Sequence, residues 1–237
     1  MPKLLAISLC VFCITFSSYS AAFGAILTEA EFNQLHRRCQ LYYAGTSIGR
    51  ELGFAARFSQ LELKTSRVEA TKSGGAWHYC AGVIDLKRYS IATNLNDKEG
   101  HLKRALNQIN YTNRNMTEES YIYPEVKLHL ARALNYNKQK NKSIEILDNL
   151  INKRPEYTPG YIELASIYKK SGETEKAISI LESTSEIQKS NSADLNYFLG
   201  LYYFEIKKYD KSSAYARSAY KKGYPLLGLK KCSRKRA

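Results

Sequence analysis

Apolar side chains recur every three or four positions along most of the chain, which is the spacing of residues on one face of an α-helix. The first such segment begins at Thr28, where Glu31 three residues later predicts a capping box. Gly45 and Gly49 are expected to end that helix. No run of strict apolar–polar alternation is long enough to indicate a β-sheet, so the pattern predicts an all-α fold.

The centre of the chain is less regular. Residues 50–72 are only weakly amphipathic, and the pair Gly74-Gly75 predicts a break. After it, residues 76–93 are predicted to form a helix, residues 94–100 a loop, and residues 101–113 a short helix.

From Tyr123 onward the sequence repeats itself at intervals of 34 and 35 residues. Each copy has a leucine followed directly by a small residue, at Leu130–Ala131, Leu164–Ala165 and Leu199–Gly200. A second apolar stretch follows in each copy, with Ser143, Ala177 and Ser212 at corresponding positions. A small residue beside an aliphatic one allows a second antiparallel helix to approach closely, so each copy is expected to be a helical hairpin.

This period and pattern resemble the tetratricopeptide (TPR) repeat, most fully in the stretch YIELASIYKKSGETEKAISILE at residues 161–182. The resemblance implies a right-handed solenoid with three TPR units over residues 123–222. Lys138 and Lys207 depart from the family pattern because they occupy the position of its turn glycine, and Lys189 departs because it occupies that of the closing proline.

Residues 25–122 are expected to form an N-terminal helical cap region that contains a degenerate fourth repeat. Its first helix would include Trp77, Cys80 and Ile84, and its second Ala105 and Ile109, with roughly a dozen extra residues between the helices.

Two short segments extend the resemblance to exported bacterial TPR proteins that carry a HYC-x-G segment and end in a GYP-L-x-GL segment. The corresponding residues are His78–Gly82 and Gly223–Leu229.

Residues 1–24 have the order of a secretory signal peptide: the basic Lys3, an apolar run, and a small, polar stretch with Ser20 and Ala22. Cleavage is expected after Ala22, with Gly24 as the second choice; the alternative is an uncleaved N-terminal anchor. The sequence therefore predicts a periplasmic or secreted protein with no transmembrane span after signal removal.

Three cysteines remain beyond the signal segment: Cys39, Cys80 and Cys232. Export implies an oxidising compartment, and Cys39 and Cys80 both lie on apolar helical faces. A Cys39–Cys80 disulfide is therefore predicted, and the alternative is three unpaired thiols.

The sequence contains no nucleophile elbow, P-loop, HExxH or GxGxxG motif, and its four histidines are scattered. We therefore expect a non-catalytic protein without a cofactor or a metal site.

The resemblance implies a concave groove formed by the first helix of each unit, which would bind a peptide or a partner helix from a protein partner. The predicted groove residues are His129, Arg132, Tyr136, Glu163, Ser166, Lys169, Tyr197, Phe198 and Leu201. The alternative for the aromatic end of this groove is that the C-terminal segment covers it.

The net charge is +14, from 36 basic and 22 acidic residues, and seven of those basic residues fall within residues 221–237, which contain no acid. Residues 223–237 are interpreted as a basic tail. It is either a solubilising cap or a site for a polyanion or an anionic membrane surface. The residues predicted to bind a polyanion are Lys230, Lys231, Arg234, Lys235 and Arg236. Export argues against nucleic acid as a partner.

Overall fold

The computed structural model describes residues 26–226 and 228–229. Within these residues the secondary structure is entirely helical, without strands. The predicted signal peptide, the five tail residues assigned to polyanion binding, and Cys232 all lie outside the described residues. No helix among the described residues has the length and apolar character needed to cross a bilayer.

The N-terminal part of the fold is built from short helices. They are α1 (Glu29–Asn33), α2 (Arg37–Ala44), α3 (Ser47–Glu51), a 3₁₀ turn (Phe54–Arg57) and α4 (Gln60–Lys72). The predicted capping box is confirmed, because the Thr28 hydroxyl accepts the Glu31 N–H while the Glu31 carboxylate accepts the Thr28 N–H. Phe32 stacks on Phe54 with 4.0 Å between the ring centroids, and both rings are buried.

A long hairpin follows, made of α5 (Ala76–Ile91) and α6 (Leu95–Asn115). The predicted loop over residues 94–100 is wrong: Asn94 caps α6 by accepting the Asp97 N–H at 2.8 Å, and the helix runs from Leu95. The first turns of α6 face solvent, so they carry no apolar stripe to reveal the helix.

The early start of α6 at Leu95 also corrects the expectation of roughly a dozen extra residues between the two helices of the degenerate repeat. Three residues separate α5 from α6, and the additional length lies within the helices. The two helices pack tightly at Gly82, where an added Cβ would lie 2.5 Å from Ile109 Cγ1.

The C-terminal part consists of three successive helical hairpins. They are α7 (Tyr123–Tyr136) with α8 (Lys140–Lys153), α9 (Thr158–Lys170) with α10 (Thr174–Glu182), and α12 (Ala193–Glu205) with α13 (Tyr209–Lys221). A short helix, α11 (Glu186–Asn191), precedes the third hairpin and contains Lys189, the residue found in place of the closing proline.

Equivalent contacts recur within the hairpins. In the first hairpin the Ser143 hydroxyl donates to the Ala131 carbonyl at 2.6 Å. In the third hairpin the Ser212 hydroxyl donates to the Gly200 carbonyl at 2.8 Å. Ala165, the small residue of the second hairpin, is fully buried. The structure is thus a solenoid of helical hairpins, as the sequence predicts.

The turn between the two helices of each hairpin contains a left-handed residue. Gly172 adopts φ 83° in the second hairpin, whereas Lys138 and Lys207 adopt φ 59° and 63° in the first and third. The turn geometry is therefore kept even where the sequence lacks glycine, at a cost in backbone strain.

Candidate protein-binding face

The first helices of the hairpins lie side by side and are joined through their side chains. We call the surface of α7, α9 and α12, with α5 at its N-terminal end, the first-helix face. Arg132 on α7 forms a salt bridge with Glu163 on α9, with 2.5 Å between Nη2 and Oε2. Lys169 on α9 forms a salt bridge with Glu205 on α12 at 3.0 Å. Four of the predicted groove residues, Arg132, Glu163, Ser166 and Lys169, are therefore brought together here and remain partly accessible.

At the N-terminal end of this face, His129 contacts α5. Its Nδ1 lies 3.1 Å from the Tyr79 hydroxyl and 2.9 Å from the Glu125 carbonyl oxygen. Burial lowers the pKa of His129, so the imidazole is neutral at pH 7. Tyr136, also predicted for the groove, stacks on Tyr89 of α5 with 4.9 Å between the ring centroids.

A cavity of about 360 Å³ opens beside His129, and we call it the N-terminal cavity. Helices α2, α5 and α7 supply its walls, which include the disulfide cysteines. The carboxylate oxygen Oε2 of Glu125, another wall residue, is buried and has no hydrogen-bond partner among the described residues. A buried carboxylate oxygen without a donor is costly, which makes this cavity a candidate site for a donor group.

Glu125 also acts on neighbouring phenols. Burial and the Glu125 charge both raise the pKa of Tyr79 and of Tyr157, with burial the larger cause. Glu125 does not stand out in the sequence, because an acid in the first turn of a helix is an ordinary stabilising feature. Its spacing of four residues from His129 was the available signal.

The aromatic end of the predicted groove differs from expectation. Tyr197 is only 8% exposed, and Tyr224 stacks on it with 3.9 Å between the ring centroids. Leu229 is buried in the same cluster. Tyr197 is therefore not an accessible groove residue, and the alternative holds for this ring: the C-terminal segment covers it through Tyr224. Phe198 and Leu201 remain partly accessible on α12.

The structure forms the predicted disulfide between Cys39 on α2 and Cys80 on α5, with 5.5 Å between the Cα atoms. It joins the short N-terminal helices to the first long hairpin. Within the described ranges, no group of three or more His, Cys, Asp or Glu residues is arranged to hold a metal ion.

Comparison with known proteins identifies the repeat. The sequence profile of the tetratricopeptide repeat matches residues 158–191, which span the second hairpin and α11. No curated protein shows significant sequence similarity to the chain.

Two solved structures are similar to this chain. The crystal structure of YrrB, described as a TPR protein with an unusual peptide-binding site, is 15% identical, covers 83% of this chain and 88% of its own, and superposes with a TM-score of 0.50. The crystal structure of the MamA protein is 18% identical and covers 83% of this chain and 96% of its own, with a TM-score of 0.48. The chain therefore contains a tetratricopeptide repeat at residues 158–191, set within a row of similar helical hairpins.

Proposed function

We propose that the chain is a non-catalytic protein-binding adaptor of the periplasm or cell envelope, which binds a peptide or a partner helix along the first-helix face. One observation carries the proposal. The row of first helices has a cavity with an unpartnered carboxylate oxygen, from Glu125, at one end and accessible apolar side chains, Phe198 and Leu201, at the other. Such a row offers a hydrogen-bond acceptor and an apolar anchor to the same extended ligand.

The middle of the face supports binding of a polar backbone or charged side chains. The Arg132–Glu163 and Lys169–Glu205 salt bridges are both partly exposed, so a ligand can compete for their charges. Because the helices hold these side chains in place before binding, the entropic cost of ordering them on association is low. YrrB, which has the same fold, is described as having a peptide-binding site.

Two observations support an envelope location. The N-terminal segment has the residue order of a signal peptide, and the Cys39–Cys80 disulfide is a bond that oxidising compartments favour. N-terminal sequencing of the protein from an envelope fraction tests this part. We expect a mature start near Phe23 or Ala25, and an intact Met1 in a cytoplasmic pool would contradict it.

The binding role is tested with a partner recovered from envelope extracts and then purified. We expect Phe198→Ala and Glu125→Gln each to weaken the affinity of that partner by about tenfold or more, as for anchor residues at interfaces. Ile187→Ala is the matched control, since Ile187 is 73% exposed on α11, outside the first helices. Unchanged affinity in both test variants, with the helical circular dichroism spectrum intact, would contradict binding on this face.

The second candidate function is binding to a polyanion or an anionic membrane surface through the basic tail. The observation in its favour is the concentration of seven basic residues, without any acid, in residues 221–237. Binding to anionic vesicles by this route should fall steeply as the salt concentration rises from about 50 mM to about 500 mM. It should disappear when residues 230–237 are deleted. Binding along the first-helix face should survive both changes.

A further inference from the structure

A second cavity, of about 340 Å³, lies in the N-terminal region. It is formed where the turn between α2 and α3 meets α4 and α5, and it uses none of the predicted groove residues. We call it the arginine pocket. Its wall includes the apolar surfaces of Tyr42, Ile48 and Ala70 and the polar groups of Arg50, Arg67 and Trp77.

The wall contains hydrogen-bond donors that have no acceptor within the described residues. The indole N–H of Trp77 is buried and has no acceptor among the described residues. The Ser66 and Thr46 hydroxyls also line the pocket, but they already donate hydrogen bonds to the Leu63 and Tyr43 carbonyls, respectively. None of the lining residues is acidic. A buried donor left without an acceptor costs free energy, which an acceptor from a ligand would recover.

The two arginines of the pocket are exposed, and neither forms a salt bridge within the described part of the chain. Other arginines of the same region are paired: Arg57 with Glu29, and Arg88 with Glu31. The positive charge at the arginine pocket is therefore available to an anion from solution.

The apolar part of the wall restricts what this anion can be. The Tyr42 hydroxyl is hydrogen-bonded to the Tyr121 hydroxyl, so Tyr42 presents its ring to the cavity. Together with Ile48 and Ala70, this ring favours a ligand with an apolar body over a bare inorganic ion.

We propose that the arginine pocket binds a small organic carboxylate, in which the charged group is joined to an aromatic or branched aliphatic body. The carboxylate accepts hydrogen bonds from the Arg50 and Arg67 guanidinium groups and from the Trp77 indole, and the body packs on Tyr42, Ile48 and Ala70. Planar guanidinium groups suit a carboxylate because they can donate two parallel hydrogen bonds to it. This site is independent of the proposed binding role of the first-helix face.

The chain has a single tryptophan, Trp77, so its intrinsic fluorescence reports directly on this pocket. The probes are phenylacetate and its uncharged analogue phenylacetamide, with acetate and inorganic phosphate as anions that lack an apolar body. We expect a saturable fluorescence change with phenylacetate, binding at least tenfold weaker with phenylacetamide, and no saturation by acetate or phosphate at the same concentrations. An equal response to phenylacetate and phenylacetamide would overturn the role of the charge. An equal response to phosphate would overturn the role of the apolar body.

Variants locate the binding. Arg50→Gln and Arg67→Gln should each weaken phenylacetate binding by about tenfold, the loss typical of one charge-assisted hydrogen-bonding partner. Arg114→Gln is the matched control, because Arg114 is exposed on α6 and, within the part of the chain that the structure describes, donates only to the Asn110 carbonyl. Trp77→Phe, measured by calorimetry, should also weaken binding while the helical circular dichroism spectrum is retained. Wild-type affinity in both glutamine variants would refute the site.

Discussion

The N-terminal region and the three repeats of this protein are stabilised in different ways. In the repeats, each hairpin is closed by contacts between residues close in sequence, such as the Ser143–Ala131 hydrogen bond, which spans 12 positions. The short helices α1 to α4 of the N-terminal region are instead held by contacts that span long stretches of chain. Glu31 pairs with Arg88, 57 positions away, and Tyr42 bonds to Tyr121, 79 positions away.

Helix length explains the difference. Helices α1 and α3 have five residues each, too short to be stable without tertiary contacts, whereas the repeat helices α7 and α8 have 14 each. The short helices depend on attachment to α5, and the Cys39–Cys80 disulfide is the covalent part of that attachment. We therefore expect the two regions to respond differently to the same perturbation.

The largest expected effect is the removal of the disulfide by Cys39→Ser with Cys80→Ser. The bond closes a segment with a sequence separation of 41. In the chain-entropy picture such a cross-link contributes about 4 kcal/mol. Hydrogen exchange should then show lost protection in α1 to α4 with retained protection in α7 to α13.

Cys232→Ser is the control for this change, and it should leave the exchange pattern as in the wild type. A uniform loss of protection along the whole chain would contradict the division into two regions. So would a double serine variant with wild-type protection in α2.

The second effect tests the repeats. Ala165 is fully buried at the close approach of α9 and α10, so Ala165→Leu should overpack this contact and destabilise the fold by about 1–3 kcal/mol. Ala214→Leu on the exposed side of α13 is the control and should change the free energy of unfolding little. An unchanged melting temperature for Ala165→Leu would contradict the register of the repeat.

The same contrast explains what the sequence could predict. The repeated hairpins were recognisable from the sequence because the same pattern occurs three times. Its marks are the repeat period over residues 123–222 and the small residues Ala131, Ala165 and Gly200. The start of α6 was not, since its exposed first turns have no apolar stripe and Asn94 resembles a loop residue as much as a cap.

The candidate sites were less predictable than the fold. The salt bridges of the first-helix face follow from the repeat register, which aligns Arg132 with Glu163 on neighbouring helices. The repeat register places Tyr197 on the first-helix face but leaves open whether its ring is accessible. Its cover by Tyr224 depends on the path of the chain after the last repeat. Each cavity has walls from helices outside the repeated hairpins, α2 and α5 among them, so the repeat period alone does not indicate it.

The third effect concerns pH and the N-terminal region. Hydrogen bonds from Arg88 hold the pKa of Glu31 at about 2, well below the ordinary value of 4.5. A depressed pKa gives stability that is present above the ordinary value and is lost as the pH falls from about 4.5 to about 2. Since both side chains retain contact with water, the Glu31–Arg88 pair contributes about 1 kcal/mol to the free energy of unfolding.

Glu31→Gln isolates this contribution, because glutamine can still accept the Thr28 N–H in the capping box while the charge is removed. The variant should be less stable than the wild type at pH 6, and the difference should shrink as the pH is lowered to 2.5 (the acid end of the assay). The other acids titrate in both proteins, so their contributions to stability cancel in the difference. A difference that stays constant with pH would contradict the assignment to the Glu31–Arg88 pair.

The smallest effect returns to the repeats and to their imperfect turns. Lys138 and Lys207 adopt left-handed φ values of 59° and 63°, where a Cβ is strained, and Gly172 has φ 83° at the equivalent turn. Lys138→Gly and Lys207→Gly should therefore each stabilise the fold, by about 0.5–1 kcal/mol, since relief of strain exceeds the added entropy of the unfolded chain. Gly172→Lys should have the opposite sign. Lys142→Gly is the matched control: this exposed lysine lies in the first turn of α8 and does not have a left-handed φ, so glycine there should destabilise, by at most about 1 kcal/mol. Denaturant unfolding of the four variants measures all these differences, and a loss of stability in both Lys138→Gly and Lys207→Gly would mean that the lysine side chains stabilise the turns by more than their backbone strain costs.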